Sequence, residues 1–77
     1  MPTALPPDKV LARRRAIGVR IRETRRARKL SQEKLAELAG MDRQAVNRIE
    51  MGHQAALIDN LIRIAHALDV PLADLVR

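Results

Sequence analysis

LSQEKLAELAGMDRQAVNRIE, residues 30–50, is the stretch that decides the fold. Ser31 stands where a helix N-cap belongs, its hydroxyl able to accept an amide hydrogen bond, and Gln32 and Glu33 follow as good first-turn residues. Leu35, Leu38 and Ala39 recur at helical spacing, so the pattern predicts a helix over 32–39. Gly40 comes next, at the position where a left-handed residue ends a helix without steric cost. Asp42 is placed to cap another helix over about 43–51. Only Gly40, Met41 and Asp42 separate the two helices, and a connection that short forces the chain round a sharp corner.

Working outward, residues 1–7 (MPTALPP) hold three prolines, which deny a regular helix its amide donors and mark a flexible N-terminal arm. The domain proper is expected over 8–77. A long first helix can run from Asp8 to about Lys29, with Val10, Ile17 and Ile21 on one face. Gly18 inside it marks close packing of another helix. Beyond the corner, Gly52 ends the helix begun at Arg43, and 53–57 form a loop. Ile58, Leu61, Ile62, Ala65 and Leu68 then supply a further amphipathic stripe. Pro71 starts a last short helix whose Leu72, Leu75 and Val76 would close the core. The fold class is therefore all-α with five helices, since no segment alternates as a strand would.

Charge narrows the partner. Fifteen Lys and Arg against nine Asp and Glu leave +6, a balance that favours polyanions. The distribution is uneven: residues 1–30 carry ten basic groups against Asp8 and Glu23, a net +8, while 31–77 come to −2. There is no Phe, Tyr or Trp on which unpaired bases could stack, so duplex DNA is a better target than single strands. Cysteine is also absent, which excludes disulfides and thiolate zinc sites and suits a cytoplasmic setting. The longest apolar run is only Ala55 to Ile58, so neither a signal peptide nor a membrane span is expected.

The corner over 32–51 has the form of a helix-turn-helix. Together with Ile17-Gly18, Ile21-Arg22, Leu30-Ser31-Gln32-Glu33-Lys34-Leu35-Ala36, Ala39-Gly40, Val46, Arg48-Ile49-Glu50, Gly52 and Leu61 through Leu68, it resembles the lambda-repressor-like, or Xre, family of bacterial and phage regulators. The likeness spans 17–75. It implies a five-helix fold in which the helix of about 43–51 lies in the major groove, where each base pair shows a distinct donor and acceptor pattern.

From that resemblance Arg43, Gln44, Asn47 and Arg48 are expected to read bases. The chemistry suits them, because an Arg fork matches guanine O6 and N7 while Gln or Asn matches adenine N6 and N7. Ser31, Gln32, Arg25, His53 and Gln54 are expected at the phosphates, and the resemblance also gives Gln32, close to the first recognition residue, a positioning role. Arg25 and Glu50 correspond to an ion pair joining the first helix to the third. Lys29 departs from the family, standing where glycine is frequent. Met51 and Ala56-Leu57 also depart; Leu57 cannot cap a helix, which leaves Asp59 as the nearest oxygen. Met51, Leu57 and Ile58 are then expected to form an exposed apolar patch suited to a dimer interface.

An enzyme is disfavoured: Ser31 is the sole serine, Cys and Tyr are absent, and His53 and His66 fit no common zinc spacing. No metal and no cofactor are expected. The expected function is a homodimeric DNA-binding transcriptional regulator, by default a repressor, acting on an inverted-repeat operator. The alternative is an antitoxin or adaptor of the same fold that grips a protein partner as well as DNA.

Overall fold

The computed structural model describes residues 3–77, so the first two residues of the expected arm lie outside the described residues. Five helices follow in order: α1 (Pro7–Ala27), α2 (Gln32–Ala39), α3 (Arg43–Glu50), α4 (Ile58–Leu68) and α5 (Leu72–Val76). No strand occurs among the described residues. The first helix begins at Pro7 rather than after it, because a proline at N1 gives up no helical hydrogen bond and its φ is already helical.

Four of these helices end alike. After α1, Lys29 N–H donates to the Arg26 carbonyl (2.9 Å) and Leu30 N–H to the Arg25 carbonyl (3.1 Å). The same pair of bonds closes α2 through Gly40 and Met41, α3 through Gly52 and His53, and α4 through Asp69 and Val70. Each end is a Schellman motif, which requires a left-handed residue at its turn. Gly40 (φ 67°) meets that requirement freely, but Lys29 (φ 58°) carries a Cβ into the same region. This turn stops α1 at Ala27, two residues short of the expected Lys29. Lys29→Gly is therefore expected to stabilise the fold by about 0.5–1 kcal/mol, raising Tm by roughly 2–8 °C. Thermal unfolding followed by circular dichroism checks it; a lower Tm would contradict the assignment.

Helix starts depend less on side chains. Ser31 Oγ accepts from Lys34 N–H at 3.0 Å, but Asp42 makes no capping bond, although it occupies the N-cap position of α3. Nor does Asp59 cap α4: its N-cap is Leu57, without a side-chain bond, and Asp59 lies one step inside the first turn. There a carboxylate still interacts favourably with the positive end of the helix dipole.

The core consists of Ile21, Leu35, Ala36, Ala39, Val46, Ile49, Ile64, Ala65, Leu68 and Leu75. At Gly18 the backbone of α3 meets α1. A Cβ there would lie 2.5 Å from the Ile49 carbonyl oxygen and would also strike that of Glu50. Backbone cannot yield as a flexible side chain can, so the crossing of α1 over the end of α3 depends on a bare Cα. Several expected stripe residues turn out exposed: Val10, Leu38, Ile62 and Val76, and with them Ile58, whose exposure accords with the apolar patch also expected of it. Val10 sits on the first turns of α1, ahead of the point where that helix meets α3. Leu38 and Ile62 lie roughly a third of a turn off the buried centres of their helices. Those centres are Leu35, Ala36 and Ala39 in α2, and Ile64, Ala65 and Leu68 in α4.

Candidate nucleic-acid interface

α3 is divided cleanly along its length. Val46, Ile49 and Glu50 face inward and are buried, whereas Arg43, Gln44 and Arg48 are exposed and Asn47 is half-buried. The inward set occupies positions i, i+3 and i+4, which forces the remaining polar residues onto the outer side. Neither Arg43 nor Arg48 joins an ion pair; among the described residues such pairs are formed by Arg25 with Glu50 and by Lys34 with Glu37. The outer face of α3 thus presents guanidinium and amide groups whose donors have no carboxylate to satisfy them.

The N-terminus of α2 lies against this face. Asn47 Nδ2 on α3 donates to Gln32 Oε1 at 3.3 Å, which fixes the two helices side by side at that point. The Ser31 hydroxyl and carbonyl take the amides of Lys34 and Leu35. The amides of Gln32 and Glu33 remain open among the described residues, as the first N–H groups of a helix do, and such open amides suit an anion. His53 and Gln54, just past α3, are both exposed.

Beneath the face is a charged clamp. Arg25 Nε donates to Glu50 Oε2 at 2.7 Å and Arg25 Nη2 to Glu50 Oε1 at 3.0 Å, a bidentate pair joining α1 to α3. Arg25 Nη1 donates to the Leu30 carbonyl at 2.8 Å, and Gln32 Nε2 adds a third bond to the carboxylate at 3.1 Å. Arg25 is only 7% exposed and Glu50 2%. With three of its nitrogens engaged inside, Arg25 is held as an internal strut rather than a surface cation. A bidentate guanidinium and carboxylate with further hydrogen bonds is the geometry in which a buried pair best offsets its desolvation.

Leu57 (72% exposed), Ile58 (59%), Ile62 (51%) and Met51 (44%) stand out as large uncovered apolar side chains. Ile58 and Ile62 are one turn apart on α4 and share a side. That helix therefore carries two apolar faces, one buried in the core and one open. Among the described residues no group of three His, Asp or Glu is placed to hold a metal ion, and no helix is long and apolar enough to cross a membrane.

The bonds from Gln32 to Glu50 and to Asn47 were not anticipated from the sequence. Their one signal there is the presence of two amides and a carboxylate on a helix-turn-helix scaffold, and spacing alone does not say which of them meet.

The family model described as helix-turn-helix matches residues 21–75. Among solved structures, the chain is similar to the restriction-modification controller protein C.AhdI from Aeromonas hydrophila. There the identity is 41% and the TM-score 0.82, over 83% of this chain and 97% of that one. It is also similar to the hypothetical transcription factor NHTF from Neisseria, at 30% identity and TM-score 0.81, over 100% of this chain and 86% of that one. The clp gene regulator ClgR from C. glutamicum aligns at 25% identity and TM-score 0.77, over 82% of each chain. No curated protein matches the sequence.

Proposed function

The chain belongs to the helix-turn-helix (HTH_3) family, and from that premise we propose that it is a sequence-specific, duplex-DNA-binding transcriptional regulator. The observation that carries this reading is the outer face of α3, where Arg43, Gln44 and Arg48 stand exposed beside the open N-terminus of α2. In this reading Arg43, Gln44, Asn47 and Arg48 meet base edges in the major groove. Ser31, the α2 amides, His53 and Gln54 meet phosphate, and the unpaired arginines of α1 add salt-sensitive attraction. Arg25 supports the site from inside. The chain works as a regulator, not an enzyme, and acts where the DNA is, in the cytoplasm.

The active form is a homodimer. The second apolar face of α4, Ile58 and Ile62 with Leu57 beside them, offers a self-complementary surface for a two-fold interface. Two copies of α3 would then enter successive major grooves about 34 Å apart, which calls for an inverted-repeat operator. Occupying such a site across a promoter represses it. The likeness to C.AhdI favours a restriction-modification gene set as the regulatory context over an antitoxin role.

Binding-site selection from random duplex DNA tests this directly, with the native chain compared with Arg43→Ala and Gln44→Ala at two salt concentrations. The expected result is an enriched inverted repeat, with each variant losing preference at its own base pair by about 1–3 kcal/mol. Raising the salt should weaken native and variant binding alike, since the phosphate contacts persist. Salt-sensitive binding with no enriched sequence would overturn the reading.

A further inference from the structure

We propose that Gln32 is a specificity-determining positioning residue, which carries the polarity of the buried Glu50 carboxylate out to Asn47 and so fixes which way the Asn47 amide faces the DNA. The inference rests on the proposed reading of α3 as the base-reading helix. It goes beyond the phosphate-contacting, positioning role that the resemblance implies for Gln32, because it names the carboxylate that orients Gln32 and the amide that Gln32 orients in turn.

A chain of donors and acceptors carries the argument. A carboxylate held in a guanidinium fork can only accept hydrogen bonds. Glu50 Oε1 takes one from Arg25 Nη2 at 3.0 Å and one from Gln32 Nε2 at 3.1 Å, so the NH2 end of the Gln32 amide is the end that must face inward. Its carbonyl oxygen is thereby turned toward α3, where it can only accept. Asn47 must then offer Nδ2, as it does at 3.3 Å. What Asn47 has left to offer is its own carbonyl oxygen and its second amide hydrogen, the acceptor and donor that adenine N6 and N7 require. An unrestrained amide exchanges its two ends by a half-turn about its last bond, and the exchange swaps donor for acceptor. The link to Glu50 removes that ambiguity, because the flipped Gln32 would set carbonyl oxygen against carboxylate oxygen. Burial of Glu50 makes such a clash costly. One buried charge thus sets the hydrogen-bonding sense of two amides in turn, the second of them at the proposed groove face.

The test is binding-site selection with native protein, Asn47→Ala and Gln32→Met, the last of which keeps side-chain volume and removes both bonds. The position read by Asn47 is the one whose preference Asn47→Ala abolishes. Gln32→Met is expected to relax preference there by about tenfold, leaving the positions lost in Arg43→Ala and Gln44→Ala intact. In the free protein, the Asn47 side-chain amide should lose its protection from hydrogen exchange in Gln32→Met, a readout independent of DNA. An even loss of affinity over all sequences with the base preferences unchanged would overturn the relay and return Gln32 to the phosphates, while leaving the reading of α3 in place. An unaltered Asn47 amide would overturn it equally. If the native chain itself enriched no sequence, the base-reading role of α3 would fall and the relay with it.

Discussion

Glu50→Ala is expected to destabilise the domain by about 3–5 kcal/mol, a large share of the roughly 5–15 kcal/mol that holds a typical domain folded. The loss comes less from the attraction removed than from what stays behind. Arg25, 7% exposed, would keep its charge with two of its three internal bonds gone, and Gln32 would lose its inward acceptor. The clamp also ties α1 to α3 close to the bare-backbone contact at Gly18, so both devices that dock α1 meet at the end of α3. Urea unfolding measures the effect. Removing both partners in Arg25→Met/Glu50→Leu is expected to recover more than half of the loss, because the stranded charge goes with its counter-charge. A cost below about 1 kcal/mol for Glu50→Ala would mean that Arg25 escapes to solvent and that the pair is not a strut.

The second large effect is expected on assembly. Leu57→Asp places a carboxylate at the N-terminal edge of the open apolar face of α4, beside Ile58 and Ile62, in each copy of the proposed dimer, where burial in the interface would leave the charge unpaired. In ultracentrifugation the variant should sediment as a monomer. Its affinity for the selected inverted repeat should fall by about 10²- to 10⁴-fold, since each half-site would then be bound without the effective concentration supplied by its partner. The fold itself should not suffer. Leu57 is the N-cap of α4 and makes no capping bond, so aspartate there supplies the missing acceptor and stabilises the helix by about 1 kcal/mol. A raised Tm with a lost dimer separates assembly from folding. A variant still dimeric, with unchanged operator affinity, would contradict the proposed interface.

Much of this architecture was legible in the sequence, and the parts that were not share a physical cause. Ser31, Gly40 and Gly52 announced their helix boundaries because capping and left-handed turns are local chemistry, decided by one residue and its neighbours. Lys29 did so only through the resemblance, standing where glycine is frequent, since a lysine by itself says nothing about a positive φ; it takes the left-handed position because Leu30 must turn back to close the same motif that Gly40 closes for α2. The stripes were read with the right period but too wide. Leu38 and Ile62 are apolar and helically spaced, yet no helix lies over them, and only packing decides which edge of a stripe is covered. The open side of α4 is the same ambiguity in another place: Ile62 read as core, and Ile58 as both core stripe and exposed patch, until Ile64, Ala65 and Leu68 are seen to fill the core.

The candidate interface divides in the same way. That Arg43, Gln44, Asn47 and Arg48 share a side of α3 follows from the apolar positions between them. The bonds of Gln32 to Asn47 and Glu50 span 15 and 18 residues and join α2 to α3, and nothing local to any of the three residues reports them. Donor and acceptor sense, on which the proposed specificity depends, is a property of that junction alone.

The central claim is that α3 lies in the major groove of two adjacent half-sites, and the absence of cysteine from the chain makes it directly measurable. Asp42, exposed and without a capping bond at the start of α3, can be changed to cysteine and labelled with an iron chelate that cuts nearby DNA. On the selected operator the account predicts two clusters of cuts with the strand offset of major-groove cleavage, centred about 10 base pairs apart. Cuts with the minor-groove offset, or spread evenly along a duplex the chain binds specifically, would contradict it.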